Sequence, residues 1–308
     1  MLNFIVFRMR VNKLASVTFV TFLICILSLD HLPHTHTHHL PAALVLLLFF
    51  DDLGADVGTT PNLKQIVLGR CFSYVTLISP GSRFNCEEIW REFRNAVIQR
   101  APCDVRVKDY SCMFHAAPQA LPCDRLLFWS KTREFVHSYS AITRRFCTLE
   151  DTLVGYMFND LIWCGQKEKH RGFDFNSCPE WSTCANHPVY SLWKQASQNF
   201  AASACGNITV ILNGSMENAF NRTSMFGSVE LDSLNPRMVN HVNIKVVANL
   251  EGPIIDSCTK GSIRNLIQIL KTRGFRWTCT DTDMTLMILQ CIQNPRQLSC
   301  EIFHNNLL

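Results

Sequence analysis

The sequence predicts an α/β fold with some α+β character: a mostly helical N-terminal half joined to a C-terminal half with a small parallel sheet and covering helices. Three observations support this prediction. From Glu87 to about Ala204, apolar residues recur mostly at helical spacing. After Cys205, short segments rich in Val and Ile alternate with helical ones. Fourteen of the 15 cysteines lie after residue 70, so the fold is also predicted to be stapled by disulfides.

The first 58 residues are predicted to target and tether the chain. Basic residues precede the uncharged, mostly apolar run Leu14 to Leu29, as in export signals. A cleaved run would be a signal peptide, whereas a retained one would be a signal anchor with the N-terminus in the cytoplasm, and both alternatives stay open. A second apolar run, Leu40 to Phe50, is too short to span a bilayer. We interpret the histidine-rich stretch His34 to His39 as a solvated spacer, so no metal site is predicted.

The predicted helical half covers residues 59–204. In Cys86 to Arg100, several apolar residues fall on one side of a helix, and Leu127 to Ile142 has a similar pattern. The segment Thr148 to Gly165 also has apolar residues at helical spacing.

The predicted α/β half covers residues 205–308. Asn207 to Gly214 and His241 to Leu250 are typical of short buried strands, and Phe275 to Thr280 is a third strand candidate. Between them, Ser262 to Gly274 has helical periodicity, with Gly274 as the expected stop. Strand, helix and strand in succession predict a small parallel sheet, and we expect the active-site cleft between the two halves.

Composition argues against several classes of function. The 29 basic and 25 acidic residues give a formal net charge of only +4 without a long basic run, which argues against a nucleic-acid surface. No two cysteines are separated by only two residues, so disulfides in an oxidising compartment are predicted and zinc ligation is not. Three glycosylation sequons agree with export; they begin at Asn207, Asn213 and Asn221.

Two adjacent acids, Glu150 and Asp151, stand near the start of the segment Thr148 to Gly165. Asp151 follows Thr148 by three residues, the spacing of a capping box that satisfies free N–H groups at a helix start. Glu150 instead shares its helical face with apolar residues. From this segment alone, both a capping role and a chemical role remain open for Glu150.

Four segments taken together resemble those of one enzyme family. They are LLFWSK around Trp129, TLEDTLVGY around Glu150, SLWKQAS around Trp193 and SMFGSVELDSL around Glu230. With WCG, NGS and the cysteine spacing, they resemble the ADP-ribosyl cyclase and NAD glycohydrolase family of ectoenzymes, over about Cys71 to Cys300.

The resemblance implies a set of disulfides. The pairs would be Cys71 with Cys86, Cys103 with Cys184, Cys123 with Cys205, Cys164 with Cys178, Cys258 with Cys279, and Cys291 with Cys300. Cys112 and Cys147 are left over and could form one extra bridge.

The family's reaction breaks the bond between nicotinamide and ribose in NAD. Because nicotinamide leaves as a neutral molecule, one carboxylate facing an oxocarbenium-like sugar can suffice. The resemblance gives that role to Glu230, which alone would be interpreted as a surface residue at a strand end. It gives Glu150 a contact with the nicotinamide carboxamide that favours hydrolysis over cyclisation. Trp193 is the third residue that we assign to catalysis. Together with Trp129 it would line the pocket, because an indole face attracts a cationic ring.

The resemblance also implies a set of substrate-binding residues. They are Trp129, Ser130, Lys131, Asn159, Phe226, Gly227 and Ser228. Ser130 and the backbone of residues 226–228 would lie near the diphosphate and ribose. Three positions depart from the family pattern: Lys131 replaces a common Arg and loses its bidentate geometry, Asn159 replaces a frequent acid, and Met225 stands where hydrolytic and cyclising members differ.

We therefore expect an extracellular NAD glycohydrolase that releases nicotinamide and ADP-ribose, with cyclic ADP-ribose as a minor product. No G-x-G-x-x-G motif occurs, so NAD is expected as a substrate and no cofactor is predicted. NAD and related nucleotides are the expected partners, a retained apolar run would add the membrane, and the oligomeric state is not predicted. Hydrolysis of cyclic ADP-ribose is a further possible minor activity. One rival hypothesis is a catalytically silent receptor or adhesion module on the same scaffold, and a second is a primarily cyclising enzyme.

Overall fold

The computed structural model describes residues 57–98, 100–166, 172–250, 252–297 and 300. Nearly all of the predicted targeting segment lies outside the described residues, so the choice between signal peptide and anchor stays open. In the part of the chain that is described, no helix is both long and apolar enough to cross a membrane.

Nine α-helices occur within the described ranges. They are α1 (Leu63–Ser73), α2 (Cys86–Ile98), α3 (Ser111–Ala116), α4 (Arg133–Thr143), α5 (Leu153–Phe158), α6 (Pro188–Ala202), α7 (Leu231–Ser233), α8 (Ile263–Thr272) and α9 (Met284–Gln293). The predicted helices at α2 and α8 are confirmed. In α2, Glu87 and Glu88 complement the helix dipole in the first turn. Gly274, with a left-handed φ of 79°, follows the end of α8, where the stop was expected.

Four parallel strands form one sheet in the order β1-β2-β3-β4: β1 (Leu127–Ser130), β2 (Gly206–Asn213), β3 (Val239–Val247) and β4 (Trp277–Thr280). The last three strands confirm the predicted ones. β1 pairs with β2 although it comes from the half that was predicted to be mostly helical, so the sheet crosses the predicted boundary at residue 204. That boundary, and a cleft placed at it, stay predictions.

The prediction of a helix from Leu127 onwards was wrong at its start. Leu127 and Phe128 are both buried, and they belong to core clusters on different sides of the sheet. A strand buried on both faces shows a continuous apolar run, which periodicity does not distinguish from a buried helix. Pairing with β2 makes these residues a strand, and α4 begins only at Arg133.

The segment from Thr148 to Gly165 is also not one helix. Residues Leu149–Asp151 form a single 3₁₀ turn, and Thr152 is extended with ψ of 160°. The hydroxyl of Thr152 caps α5 by accepting the Gly155 N–H at 3.1 Å. Glu150 therefore lies on a separate turn before α5 and not on its apolar face.

All disulfides implied by the resemblance are present. They join Cys71 with Cys86, Cys103 with Cys184, Cys123 with Cys205, Cys164 with Cys178, Cys258 with Cys279, and Cys291 with Cys300. Cys112 and Cys147 are free thiols, so the extra bridge between them is not formed. Cys112 is exposed on α3, whereas Cys147 lies half-buried beside β1, where it forms a parallel bridge with Leu126.

Candidate active site

Asp151 stabilises the turn that carries Glu150. Its Oδ2 atom accepts hydrogen bonds from the Thr148 N–H at 2.8 Å, the Thr148 hydroxyl at 3.0 Å and the Ser140 hydroxyl at 3.2 Å. These contacts confirm the capping box expected from the spacing of Thr148 and Asp151. The carboxylate of Asp151 thus stabilises the local backbone, whereas the carboxylate of Glu150 does not take part in these hydrogen bonds.

The side chain of Glu150 meets the indole of Trp129. The Trp129 Nε1–H donates to Oε2 of Glu150 over 3.5 Å, and both side chains are half-buried. Trp129 is the third residue of β1, near the carboxyl end of the parallel sheet, where α/β proteins commonly bind ligands. The two residues therefore bring an acid and an aromatic ring together near this edge of the sheet.

Glu230 is the buried acid of this region. It ends a π-helical segment, Phe226–Glu230, and only 7% of the residue is exposed. Its Oε1 atom accepts a hydrogen bond of 2.9 Å from the Ser197 hydroxyl. Short π-helical segments are frequent at functional sites. The interpretation of Glu230 as a surface residue of a strand end is wrong, because the residue is neither exposed nor in a strand.

Ser197 is a site residue that the sequence reasoning missed. It lies four residues after Trp193 on α6, so both side chains project from the same helix face. This spacing within SLWKQAS was the available signal. Helix α6 packs against both the turn that carries Glu150 and the π-helical segment that carries Glu230. Trp193 and Ser197 therefore lie on a helix that contacts the segments of both acids.

The two acids interact electrostatically. Burial raises the pKa of Glu230 to about 8, while the hydrogen bond from Ser197 acts in the opposite direction. The negative charge of Glu150 adds to the rise. The neutral form of the Glu230 carboxyl group is therefore favoured, and a cation beside it would stabilise the charged form.

Trp193 is half-buried and packs against both the core cluster on the sheet and the cluster among the N-terminal helices. Its helix begins with Pro188 at the first position and with the His187 ring as the N-cap. Packing on two sides holds the indole in place while leaving part of it exposed.

Ser130 and Lys131 follow one another where β1 ends. Ser130 is buried, and Lys131 is exposed with a left-handed φ of 59°. The Lys131 ammonium donates to the carbonyl oxygens of Glu217 at 3.0 Å and Asn218 at 2.9 Å. Because an ammonium has three N–H groups, Lys131 both holds this loop and keeps a donor for an anion.

Asn159 contacts the start of α4. Its Oδ1 accepts a hydrogen bond of 3.0 Å from Arg133, which also pairs with Asp160 at 2.6 Å. Within the described ranges, no hydrogen bond joins Asn159 to Glu150 or to Glu230. The structure thus brings Asn159 to an Arg and not directly to the acids.

Phe226 is a core residue by its side chain. Only 2% of it is exposed, and its ring centroid lies 6.3 Å from that of Phe128 and 6.1 Å from that of Phe220. A ligand would therefore meet the backbone of Phe226 and not its ring.

Gly227 and Ser228 complete this segment. A Cβ atom at Gly227 would fall on the Asn221 carbonyl oxygen, so only glycine fits there. The Gly227 N–H donates to the Ser224 hydroxyl at 3.0 Å, and the exposed Ser228 hydroxyl donates to the Ser224 carbonyl at 2.8 Å.

No cluster of three or more His, Cys, Asp or Glu side chains suited to a metal ion occurs among the residues that the structure describes. His34 to His39 lie outside them.

The protein is a disulfide-stapled α/β protein whose candidate site combines two carboxylates with two tryptophans near a four-stranded parallel sheet. One acid is buried beside a serine, and the other contacts an indole. The chain belongs to the ADP-ribosyl cyclase family, because a family profile of that description matches residues 60–300. This membership confirms the resemblance seen in the sequence.

Relatives of known sequence agree with this membership. The chain is 38% identical over 246 residues to ADP-ribosyl cyclase/cyclic ADP-ribose hydrolase 1 of Mus musculus, covering 79% of this chain and 81% of that protein. It is 35% identical over 247 residues to ADP-ribosyl cyclase/cyclic ADP-ribose hydrolase 2 of Homo sapiens, covering 80% and 77%.

Solved structures of similar proteins share the fold. Porcine CD38 with a covalent intermediate has a TM-score of 0.71 and 36% identity, covering 74% of this chain and 98% of that chain. Aplysia cyclase with the substrate NGD and the product cGDPR has a TM-score of 0.74 and 34% identity, covering 80% of this chain and 99% of that chain.

Proposed function

We propose that this protein is an NAD glycohydrolase that cleaves the nicotinamide–ribose bond and releases nicotinamide and ADP-ribose, with cyclic ADP-ribose as a minor product. The observation that carries the proposal is the buried Glu230, bonded to Ser197 and close enough to Glu150 for the charge of one acid to affect the other. Membership of the ADP-ribosyl cyclase family supports the same chemistry.

Glu230 faces the reacting carbon in this mechanism. The bond between ribose C1′ and the nicotinamide nitrogen breaks, and its electron pair moves to the ring, which leaves neutral. The carboxylate of Glu230 stabilises or briefly traps the positive C1′, as one carboxylate does in retaining glycosidases. Water then forms a bond to C1′, any bond between C1′ and Glu230 breaks and returns the carboxylate, and the proton of the water passes to solvent, which gives ADP-ribose.

The cationic substrate also prepares Glu230. Burial raises the pKa of this residue to about 8, whereas the positive charge of a bound nicotinamide ring favours the ionised form. Substrate binding and deprotonation of Glu230 are therefore coupled.

The tryptophans and the second acid orient the nicotinamide. Trp129 and Trp193 offer indole faces to the cationic ring and retain less attraction for the neutral product. Glu150, beside Trp129, accepts a hydrogen bond from the carboxamide in this proposal. Its position favours attack by water over attack by the adenine ring, and so hydrolysis over cyclisation.

The rest of the proposed pocket binds the diphosphate and ribose. Ser130, Lys131 and the segment from Phe226 to Ser228 supply a hydroxyl, a positive charge and backbone groups. Asn159 would donate a hydrogen bond to the substrate from Nδ2, because Arg133 binds its Oδ1. NAD is a substrate in this scheme, and no resident cofactor or metal takes part.

We also propose that the protein acts outside the cell or at its surface as a glycoprotein. Six disulfides are typical of the secretory pathway. Of the three sequon asparagines, Asn207 is exposed, whereas Asn213 is half-buried with its amide bonded to the Lys131 carbonyl and the Ser215 N–H. Asn221 is half-buried too, and its side-chain oxygen accepts hydrogen bonds from Thr223. Asn207 is therefore the most exposed of the three positions for a glycan.

The test follows nicotinamide release from NAD by the purified protein, its Glu230→Gln variant and the exposed-acid control Glu217→Gln. We expect release by the wild type and the control and none by Glu230→Gln. A wild type that binds NAD without turnover would contradict the proposal and favour the receptor hypothesis.

A further inference from the structure

A glutamine distant in sequence holds the backbone that follows Glu150. Gln119 lies between α3 and β1, and its Oε1 accepts a hydrogen bond of 2.8 Å from the Leu153 N–H. Its Nε2 donates to the Tyr74 hydroxyl at 2.6 Å, and that hydroxyl donates to the Asp151 carbonyl at 3.2 Å. Backbone groups one and three residues after Glu150 are thus fixed through a single side-chain amide.

A pocket beside Gln119 borders the Glu150 turn. It has a volume of about 130 Å³, opens to solvent, and lies between the segment of Leu149 and Thr152 and the helix positions Ala196 and Phe200. Gln119 and Tyr74 hold the backbone of the turn at the edge of this pocket by hydrogen bonds.

Movement at the start of α5 is transmitted directly to Glu150. A Cβ atom at Gly155 would fall on the Leu149 carbonyl oxygen and within 2.7 Å of the Glu150 Cα. The turn thus lies against the α5 backbone without an intervening side chain. A shift of Leu153, the first residue of α5, would therefore disturb the contact between the Glu150 carboxylate and Trp129.

We propose that Gln119 is a positioning residue: its bonds to Leu153 and Tyr74 hold Glu150 against Trp129 and thereby set how the ribosyl intermediate divides between hydrolysis and cyclisation. The inference rests on the proposed function of Glu150. The hydrogen bonds of Gln119 go to Leu153 and Tyr74 and not to Glu230 or Ser197, so its removal is expected to change the product ratio more than the rate of nicotinamide release.

The test compares Gln119→Met, which removes both hydrogen bonds of Gln119 at similar volume, with Tyr74→Phe, which removes the bond to Asp151 and the bond from Gln119 Nε2 but keeps the bond between Gln119 and Leu153. Gln290→Met is the matched control, because Gln290 is also half-buried and donates to a backbone carbonyl, that of Ala248, at 2.8 Å. Each variant in the full chain is assayed for nicotinamide release, for the ratio of cyclic ADP-ribose to ADP-ribose, and for its melting temperature.

We expect Gln119→Met to raise the ratio of cyclic to open product about three- to tenfold, the factor that one neutral hydrogen bond makes in a competition between two paths. Nicotinamide release should stay within about twofold of wild type, since Glu230 and Ser197 are untouched. Tyr74→Phe should shift the ratio in the same direction by less, and Gln290→Met should leave it unchanged.

A Gln119→Met variant that melts earlier but keeps the wild-type ratio would show a purely structural role and overturn the inference. An equal shift in Gln290→Met would do the same. If Gln119→Met does not fold, an unchanged ratio in Tyr74→Phe overturns it. A wild type without nicotinamide release would instead contradict the proposed function itself.

Discussion

Replacing Glu230 with Gln is expected to abolish nicotinamide release and also to stabilise the substrate-free protein at alkaline pH. The amide has nearly the shape of the neutral carboxyl group, and its Oε1 can still accept the hydrogen bond that Ser197 donates at 2.9 Å. Unlike the carboxyl group, it does not ionise. The variant therefore removes the energetic cost of a charge in a buried site while leaving the packing in place.

The size and sign of this effect follow from the pKa of Glu230, which burial raises from 4.5 to about 8. Because the folded state holds this proton more tightly than the unfolded state, the stability that the group contributes is present below pH 4.5 and is lost as the pH rises towards 8. At about 1.4 kcal/mol per pH unit, the full cost is on the order of 5 kcal/mol. Relaxation of the site reduces it, and we expect a rise in melting temperature of about 5 to 10 °C.

Thermal unfolding of wild type, Glu230→Gln and the exposed-acid control Glu217→Gln, without NAD, tests this reasoning between pH 4.5 and 9. The difference between wild type and Glu230→Gln should be small at the acidic end and should grow until about pH 8. Glu217→Gln should show little pH-dependent difference. A Glu230→Gln difference that is the same at pH 5 and pH 9, or a variant that melts below wild type at pH 9, would refute a raised pKa.

Three further predictions concern the surroundings of the site. Ser197→Ala removes the hydrogen bond that lowers the pKa of Glu230, so the rise of kcat/KM with pH should move to higher pH; an unmoved profile between pH 6 and 9.5 would contradict this. Gly155→Ala should lower the free energy of unfolding, measured by denaturant titration, by about 2 kcal/mol, because its Cβ meets the preceding turn. Gly69→Ala in α1, whose Cβ meets nothing within 4 Å, should be neutral or stabilising. Glycosidase treatment should reduce the mass of secreted protein whose only intact sequon is that of Asn207, and no change would exclude a glycan there.

Sequence patterns predicted those elements whose own periodicity or composition is distinctive. The amphipathic α2 and α8 and the Val- and Ile-rich β2 and β3 need no knowledge of their neighbours, because each shows its buried face directly. The sequence did not predict β1, because its three apolar residues show no period and become part of a strand only by pairing with β2. The break in the helix at Thr152 was not predicted either, because a 3₁₀ turn and an α-helix have similar apolar spacing over so short a stretch.

The candidate site divides in the same way. Glu150, Trp129, Trp193 and Glu230 came from the resemblance of their segments, which identifies residue types and order along the chain. Ser197 did not, because a serine on a helix gives no signal until the acid that it contacts is known.

By itself, the sequence determined the fold class, the disulfide framework implied by the family resemblance and the residues proposed for catalysis, because these depend on composition and local motifs. Only the tertiary structure decided that Glu230 is buried, that Ser197 is its partner and that Gln119 holds the turn of Glu150. The physical reason is that burial, and with it the pKa of Glu230, depends on groups brought together from distant parts of the chain. Residues 119, 150, 197 and 230 have no common pattern along the sequence, and only folding places them in one network of contacts.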